Sequence, residues 1–193
     1  MLTNKAAKLC LIAIFVAAVV LHHYVVPNYD VCSLLDFSKR MLHGADYGSG
    51  FNEVNPPLIL FLYALPAWIS EHIAVKDYVL ANYEGYIFVV VSMVLTNNIL
   101  NLFFSKQEST HKWILIIVLL VVFMIVPAGS FLQRENLMLV LGMPYLMLVA
   151  LRMKGGSVTP FASTVAGILA GVAFAIKPHY AILPVVLEIV ARL

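Results

Sequence analysis

The chain has 193 residues, of which 62% are hydrophobic and 11% charged, with a formal net charge of +2. A soluble domain carries roughly 25% charged residues, so the composition excludes an ordinary soluble fold, and so small a net charge argues against a nucleic-acid partner. The apolar residues fall in long blocks, as a bilayer solvent demands, and the fold expected is all-α, a polytopic transmembrane helix bundle.

The first apolar run gives a membrane helix over about Lys8 to Val26, ended by Pro27 and Asn28. Lys5 and Lys8 precede it as in a signal peptide, but His22, His23 and Tyr24 follow with no small-residue cleavage site, so it reads as a retained helix. Adjacent His22 and His23 point to different faces of a helix and do not suggest a metal site. A polar segment runs from Asn28 to Asn55. Within it, Val31 to Leu42 is amphipathic, with Leu34, Leu35, Ser38, Met41 and Leu42 on one face and Asp36, Lys39, Arg40 and His43 on the other. Asp30 or Ser33 is placed to cap this helix and Gly44 to close it, and its amphipathicity predicts a juxtamembrane helix lying in the membrane interface.

Pro56 and Pro57 open a second apolar run, Leu58 to Ile69, proline being suited to a helix start. Further runs span Tyr78 to Phe104, Trp113 to Val126, Leu137 to Leu151, Phe161 to Ile176 and Ala181 to Leu193. Gly167 and Gly171, four apart, predict a close helix approach. Asn97, Asn98 and Asn101 read as polar links between helices, and Glu84 sits inside an apolar run with no role assigned. Cys10 and Cys32 do not read as a pair.

Lys5 and Lys8 place the N-terminus in the cytoplasm, and the loops holding Lys106 and Lys112, and Arg152 and Lys154, have the same basic character. Simple alternation conflicts with this if Leu58–Ile69 crosses the membrane. That run is short of the roughly 20 residues a span needs; either it is re-entrant, or one loop breaks the charge rule, and the sequence leaves both open.

The order of polar residues resembles the first external loop of the GT-C superfamily of membrane glycosyltransferases, such as the protein O-mannosyltransferases and the lipid A aminoarabinose transferases. Asp30 follows the first helix, the Val31–Leu42 helix ends at Gly44, and Glu53 precedes Asn55-Pro56-Pro57-Leu58. Gln133-Arg134-Glu135-Asn136-Leu137-Met138 is similar to a Gln-Arg-Glu-His-Leu-Met segment of bacterial relatives, with Asn136 where His is common. Lys177-Pro178-His179 looks like a third shared element. Asp30 is followed by Val31, where many relatives have an Asp-Glu pair.

The resemblance implies transfer of a sugar from a polyprenyl-phosphate lipid to an acceptor at the external face of a bacterial inner membrane. Such enzymes have about a dozen membrane helices, so residues 1–193 look like the N-terminal portion of a longer module. Sugar transfer needs a base for the acceptor proton and positive charge on the departing phosphate. The implied roles are Asp30 as base and Glu53 as a positioning group for the acceptor or a divalent metal ion. Arg134 and Lys177 would hold phosphate, with Glu135 and His179 beside them in the substrate site. Read without the resemblance, Asp30 is equally a helix cap and Glu53 a solvated loop acid. Arg134 and Glu135 would then form a surface ion pair, with Lys177 snorkelling to the headgroups beside an interfacial His179. The competing function is a non-catalytic membrane subunit or transporter-like bundle. A shared site requires Asp30, Glu53 and Arg134 at the same side of the membrane.

Overall fold

The computed structural model describes residues 4–51, 53 and 56–191, which form an all-α bundle of eight helices. Asn55 of the Pro-Pro stretch and the last two residues of the final apolar run lie outside the described residues. The helices are α1 (Asn4–Tyr24), α2 (Tyr29–Leu42), α3 (Leu58–His72), α4 (Asp77–Phe103), α5 (Ser109–Leu120), α6 (Arg134–Met153), α7 (Pro160–Ile176) and α8 (Ile182–Val190). Four stretches are long and apolar enough to cross a membrane: α1, α4, α6, and α5 with its flanking turns, Lys106–Ile125. Helix α7 is a shorter apolar companion.

Side-chain contacts order the bundle into two ends. At one end, Asn4 of α1 accepts from Trp113 Nε1 of α5 (2.7 Å), Asn101 of α4 accepts from Lys112 (2.6 Å), and Lys154 donates to the Phe103 carbonyl (3.0 Å). At the other end, His22 of α1 meets Tyr86 of α4 and Met124 beyond α5, and Lys177 after α7 pairs with Glu135 of α6. The chain therefore runs up α1, down α4, up α5, down α6 and up α7. Lys5, Lys8, Lys106, Lys112, Arg152 and Lys154 gather at the Asn4 end.

Helix α3 has both its ends at the opposite end of the bundle. The Ser38 hydroxyl of α2 lies 3.0 Å from the Leu60 carbonyl near the start of α3, and Tyr63 donates to the Leu132 carbonyl between α5 and α6. Glu71 at the end of α3 pairs with His43 (2.9 Å), and Asp77, six residues after Glu71, pairs with Lys39 of α2 (2.6 Å). The conflict between basic loops and simple alternation is thus removed, because α3 does not carry the chain from one end of the bundle to the other.

Local chemistry explains the element boundaries. Helix α2 is capped by Asn28, whose Oδ1 accepts from Val31 N (3.1 Å), so the cap expected from Asp30 or Ser33 is corrected. Gly44 follows with φ +83°, the left-handed conformation that suits glycine. Val31, Leu34, Leu35 and Ser38 form the buried face, whereas Leu42, expected there, is exposed. Ser105 and Glu108 make a reciprocal capping box ahead of α5.

Pro144 lies inside α6 and supplies no N–H for the Val140 carbonyl. The Ser92 hydroxyl of α4 takes that carbonyl instead, at 2.5 Å, so the proline's missing bond becomes a link between helices. The small-residue contact expected of Gly167 and Gly171 is overturned. No heavy atom of a neighbouring element approaches either position within 4 Å, and Ala166, Ala170 and Ala173 form the buried stripe of α7. Asn101 does link helices, through Lys112, while Asn98 is exposed. Cys10 and Cys32 are both free.

Candidate functional site

The site is built by the turn between α5 and α6. Helix α5 ends in one π-helical turn, Val121–Ile125, before Pro127. Its last carbonyls, lacking helix partners, are taken by side chains: Phe123 O accepts from Asn136 Nδ2 (3.0 Å) and Met124 O lies 2.8 Å from His22 Nε2. A carbonyl only accepts, so His22 carries its proton on Nε2 and its Nδ1 can accept from the Tyr86 hydroxyl at 3.3 Å. Both nitrogens are satisfied, and His22 is a packing residue stacked on Phe131.

The turn then passes through Leu132 at φ +69°, a sparsely populated conformation for a branched residue. Surrounding contacts fix it there. Leu132 N donates to Asn136 Oδ1 (3.0 Å), Leu132 O accepts from Tyr63, and the side chain fills the gap left by Gly85 of α4. Left-handed residues held this firmly are a feature of functional sites.

The next residues enter the site. Gln133 Nε2 donates to Asp30 Oδ2 at 3.0 Å. Arg134 reaches Glu53 Oε1 at 3.0 Å and Asp30 Oδ2 at 3.5 Å. Asp30, Glu53 and Arg134, up to 104 positions apart, therefore meet at one end of the bundle. The Glu53 and Arg134 side chains are 9% and 12% exposed, whereas Asp30 is 42% exposed. Asp30 Oδ2 carries both donors, leaving Oδ1 without a hydrogen bond among the described residues. Tyr47 lies nearby, its phenol held above its ordinary pKa by burial and then by the charge of Glu53, so it stays neutral.

The expected surface pair between Arg134 and Glu135 is not formed. Arg134 turns to the two carboxylates, and Glu135 pairs with Lys177 across α6 and α7. Lys177, 16% exposed, is held by that partner rather than simply snorkelling. His179 is exposed, its ring tilted on Tyr180 at 4.4 Å.

Sequence reading left Gln133, Tyr63 and Glu84 without roles. Glu84 is half-buried in α4, and the Tyr63 hydroxyl feels the charges of Glu84, Arg134 and Asp30. The available signal was an ionisable residue inside an apolar span, an expensive placement that points to function. Among the described residues, no three His, Cys, Asp or Glu side chains converge to hold a metal ion. Asp30 and Glu53 are both engaged by Arg134, so these side chains do not form a metal cage.

No family model, curated protein or solved structure matches the chain.

Proposed function

We propose that the Asp30 end of this bundle transfers a sugar from a polyprenyl-phosphate lipid to an acceptor hydroxyl or amine, as part of a GT-C-type glycosyltransferase. The observation that supports it best is the convergence of Asp30, Gln133, Arg134 and Glu53 beside the Glu135–Lys177 pair. In this reading the acceptor oxygen or nitrogen attacks the anomeric carbon and its proton passes to Asp30 Oδ1. The bond between that carbon and the phosphate oxygen breaks, and the electron pair leaves with the lipid phosphate. Gln133 and Arg134 hold Oδ2 so that Oδ1 faces the acceptor, and Glu53 fixes Arg134.

Asp30, Glu53 and Glu135 outnumber Arg134 and Lys177 by one negative charge, so an incoming phosphate has to replace a carboxylate. Glu135, 48% exposed at the rim, is the one it displaces from Lys177. The charge distribution favours a cytoplasmic N-terminus, since the Asn4 end is basic. The Asp30 end then faces outward, and the family resemblance supports the cytoplasmic membrane of a bacterium as the setting.

Replacing Asp30 with Asn abolishes sugar release from a polyprenyl-phosphate donor in membranes carrying the protein, while Asp36→Asn, on the exposed face of α2, leaves it unchanged. Undiminished transfer by the Asp30→Asn variant would remove Asp30 from the mechanism. One observation favours the competing reading of a non-catalytic subunit: Arg134 already bridges both carboxylates, as a purely structural lock does.

A further inference from the structure

On the flank away from α7, α1 and α4 splay apart over α5 and leave a trough. One part, about 440 Å³, runs from Leu11 and Met93 to Phe15 and Val90 with an entirely apolar lining. It continues past the shared Phe15 and Val90 into a second apolar hollow of about 490 Å³ reaching Val19, Tyr83 and Tyr86. Those three residues also line a smaller, polar pocket of about 100 Å³ with His23, Tyr78 and Asn82. Three hollows in sequence thus form one trough, greasy along its length and polar at the Asp30 end of the bundle.

The polar mouth has unspent donors. Asn82 and the Tyr83 hydroxyl have no hydrogen-bond partner among the described residues, and the His23 ring has only an edge contact with Tyr24. Lys76, which forms no ion pair among the described residues, stands over the Tyr78 ring at 5.6 Å. The Tyr86 hydroxyl, in contrast, is already committed to His22. His23, Asn82 and Tyr83 line this pocket, and Lys76 stands over the ring of Tyr78, a fourth lining residue; a cation and neutral hydrogen-bonding groups so placed suit a phosphate.

The trough's length suits one leaflet. Leu11 to His23 spans about 18 Å of helix at ~1.5 Å per residue, against roughly 15 Å for half of a ~30 Å hydrocarbon core. We infer that the α1–α4 trough is a lipid-binding site that lays one hydrocarbon chain of a lipid from the leaflet on the Asp30 side against Phe15 and Val90 and holds its phosphate at Lys76, His23, Asn82 and Tyr83. The site does not depend on sugar transfer at Asp30.

The test is native mass spectrometry of the full chain released from detergent with dioleoylphosphatidylglycerol, dioleoylglycerol or glycerol phosphate added. The phosphate-headed lipid is retained at one copy per chain, and neither the phosphate-free lipid nor the free headgroup is retained. Val90→Trp fills the trough at a surface position that folding tolerates, and it removes the bound copy. Lys76→Gln weakens retention about tenfold, the effect of one lost charge-assisted hydrogen bond. Equal retention of dioleoylglycerol, retention of glycerol phosphate alone, or unchanged binding by both variants would overturn the site and leave an ordinary lipid-facing surface.

Discussion

The Glu53–Arg134 pair sets a measurable energy. The two groups are 3.0 Å apart with side chains 9% and 12% exposed, so they behave as a buried pair rather than a surface one. An exposed pair contributes about 0–1 kcal/mol, whereas removing one partner of a buried pair costs about 3–5 kcal/mol because the other charge is stranded. Glu53→Gln and Arg134→Gln should therefore each destabilise the bundle by about 3 kcal/mol. The double variant leaves only Asp30 without its cation, and that side chain is 42% exposed and keeps the Gln133 hydrogen bond, so the double-mutant cycle should give a coupling of about 2 kcal/mol. Reversible unfolding of the chain in mixed micelles titrated with SDS, followed by helical circular dichroism, reads these values. Additive losses within about 0.5 kcal/mol would refute a buried, coupled pair. The same variants separate the two functional readings: a double variant that folds yet transfers no sugar supports a working Arg134, and one that transfers normally leaves only a structural lock.

Two further outcomes follow from the packing. Gly85→Ala puts a methyl group into Leu132 and the Phe131 ring, an overpacking that should cost about 1–3 kcal/mol and move Arg134 away from Asp30; the SDS titration and the donor-hydrolysis assay should both report it, and a fully stable, active variant would mean the α5–α6 turn does not position the site. Cys32 is exposed at the Asp30 end, with its thiol pKa raised by burial and then by Asp77. Since the thiolate is the reactive form, a membrane-impermeant maleimide should label Cys32 from outside intact cells slowly at pH 7 and faster as the pH rises, and labelling only after lysis would reverse the orientation.

Much of the fold was legible because lipid imposes length. The apolar blocks over α1, α4, α5 and α6 matched helices within a few residues, and the short run Leu58–Ile69 became a helix of 15 residues, Leu58–His72, shorter than the four candidate spans. Facing was less legible. In a bilayer the side toward lipid is as apolar as the side toward a neighbouring helix, so the pattern of α7 gave no means of telling that Ala166 and Ala170 turn inward and Gly167 and Gly171 outward. The cap of α2 was misread because three polar residues in succession, Asn28, Asp30 and Ser33, each suit a helix start. That difference bears on the site: with Asn28 as the cap, the Asp30 carboxylate is spared for Gln133 and Arg134. Which acid Arg134 would meet was hidden because Glu53 lies 81 positions away on an irregular loop.

The position of Arg134 carries one more inference about the cluster. It is the first residue of α6, after the Gln133 cap. A helix N-terminus bears partial positive charge, and a cation there is disfavoured by about 0.3–1 kcal/mol, while an anion is favoured by as much. Glu135, one residue on, obeys that preference and Arg134 opposes it. Leu132 adds local strain of about 1–3 kcal/mol through its left-handed backbone. Helix α6 would therefore start more favourably with a neutral or acidic first residue after a relaxed turn. Both costs are borne where Arg134 reaches Asp30 and Glu53, so the two ion pairs offset what the start of the helix loses.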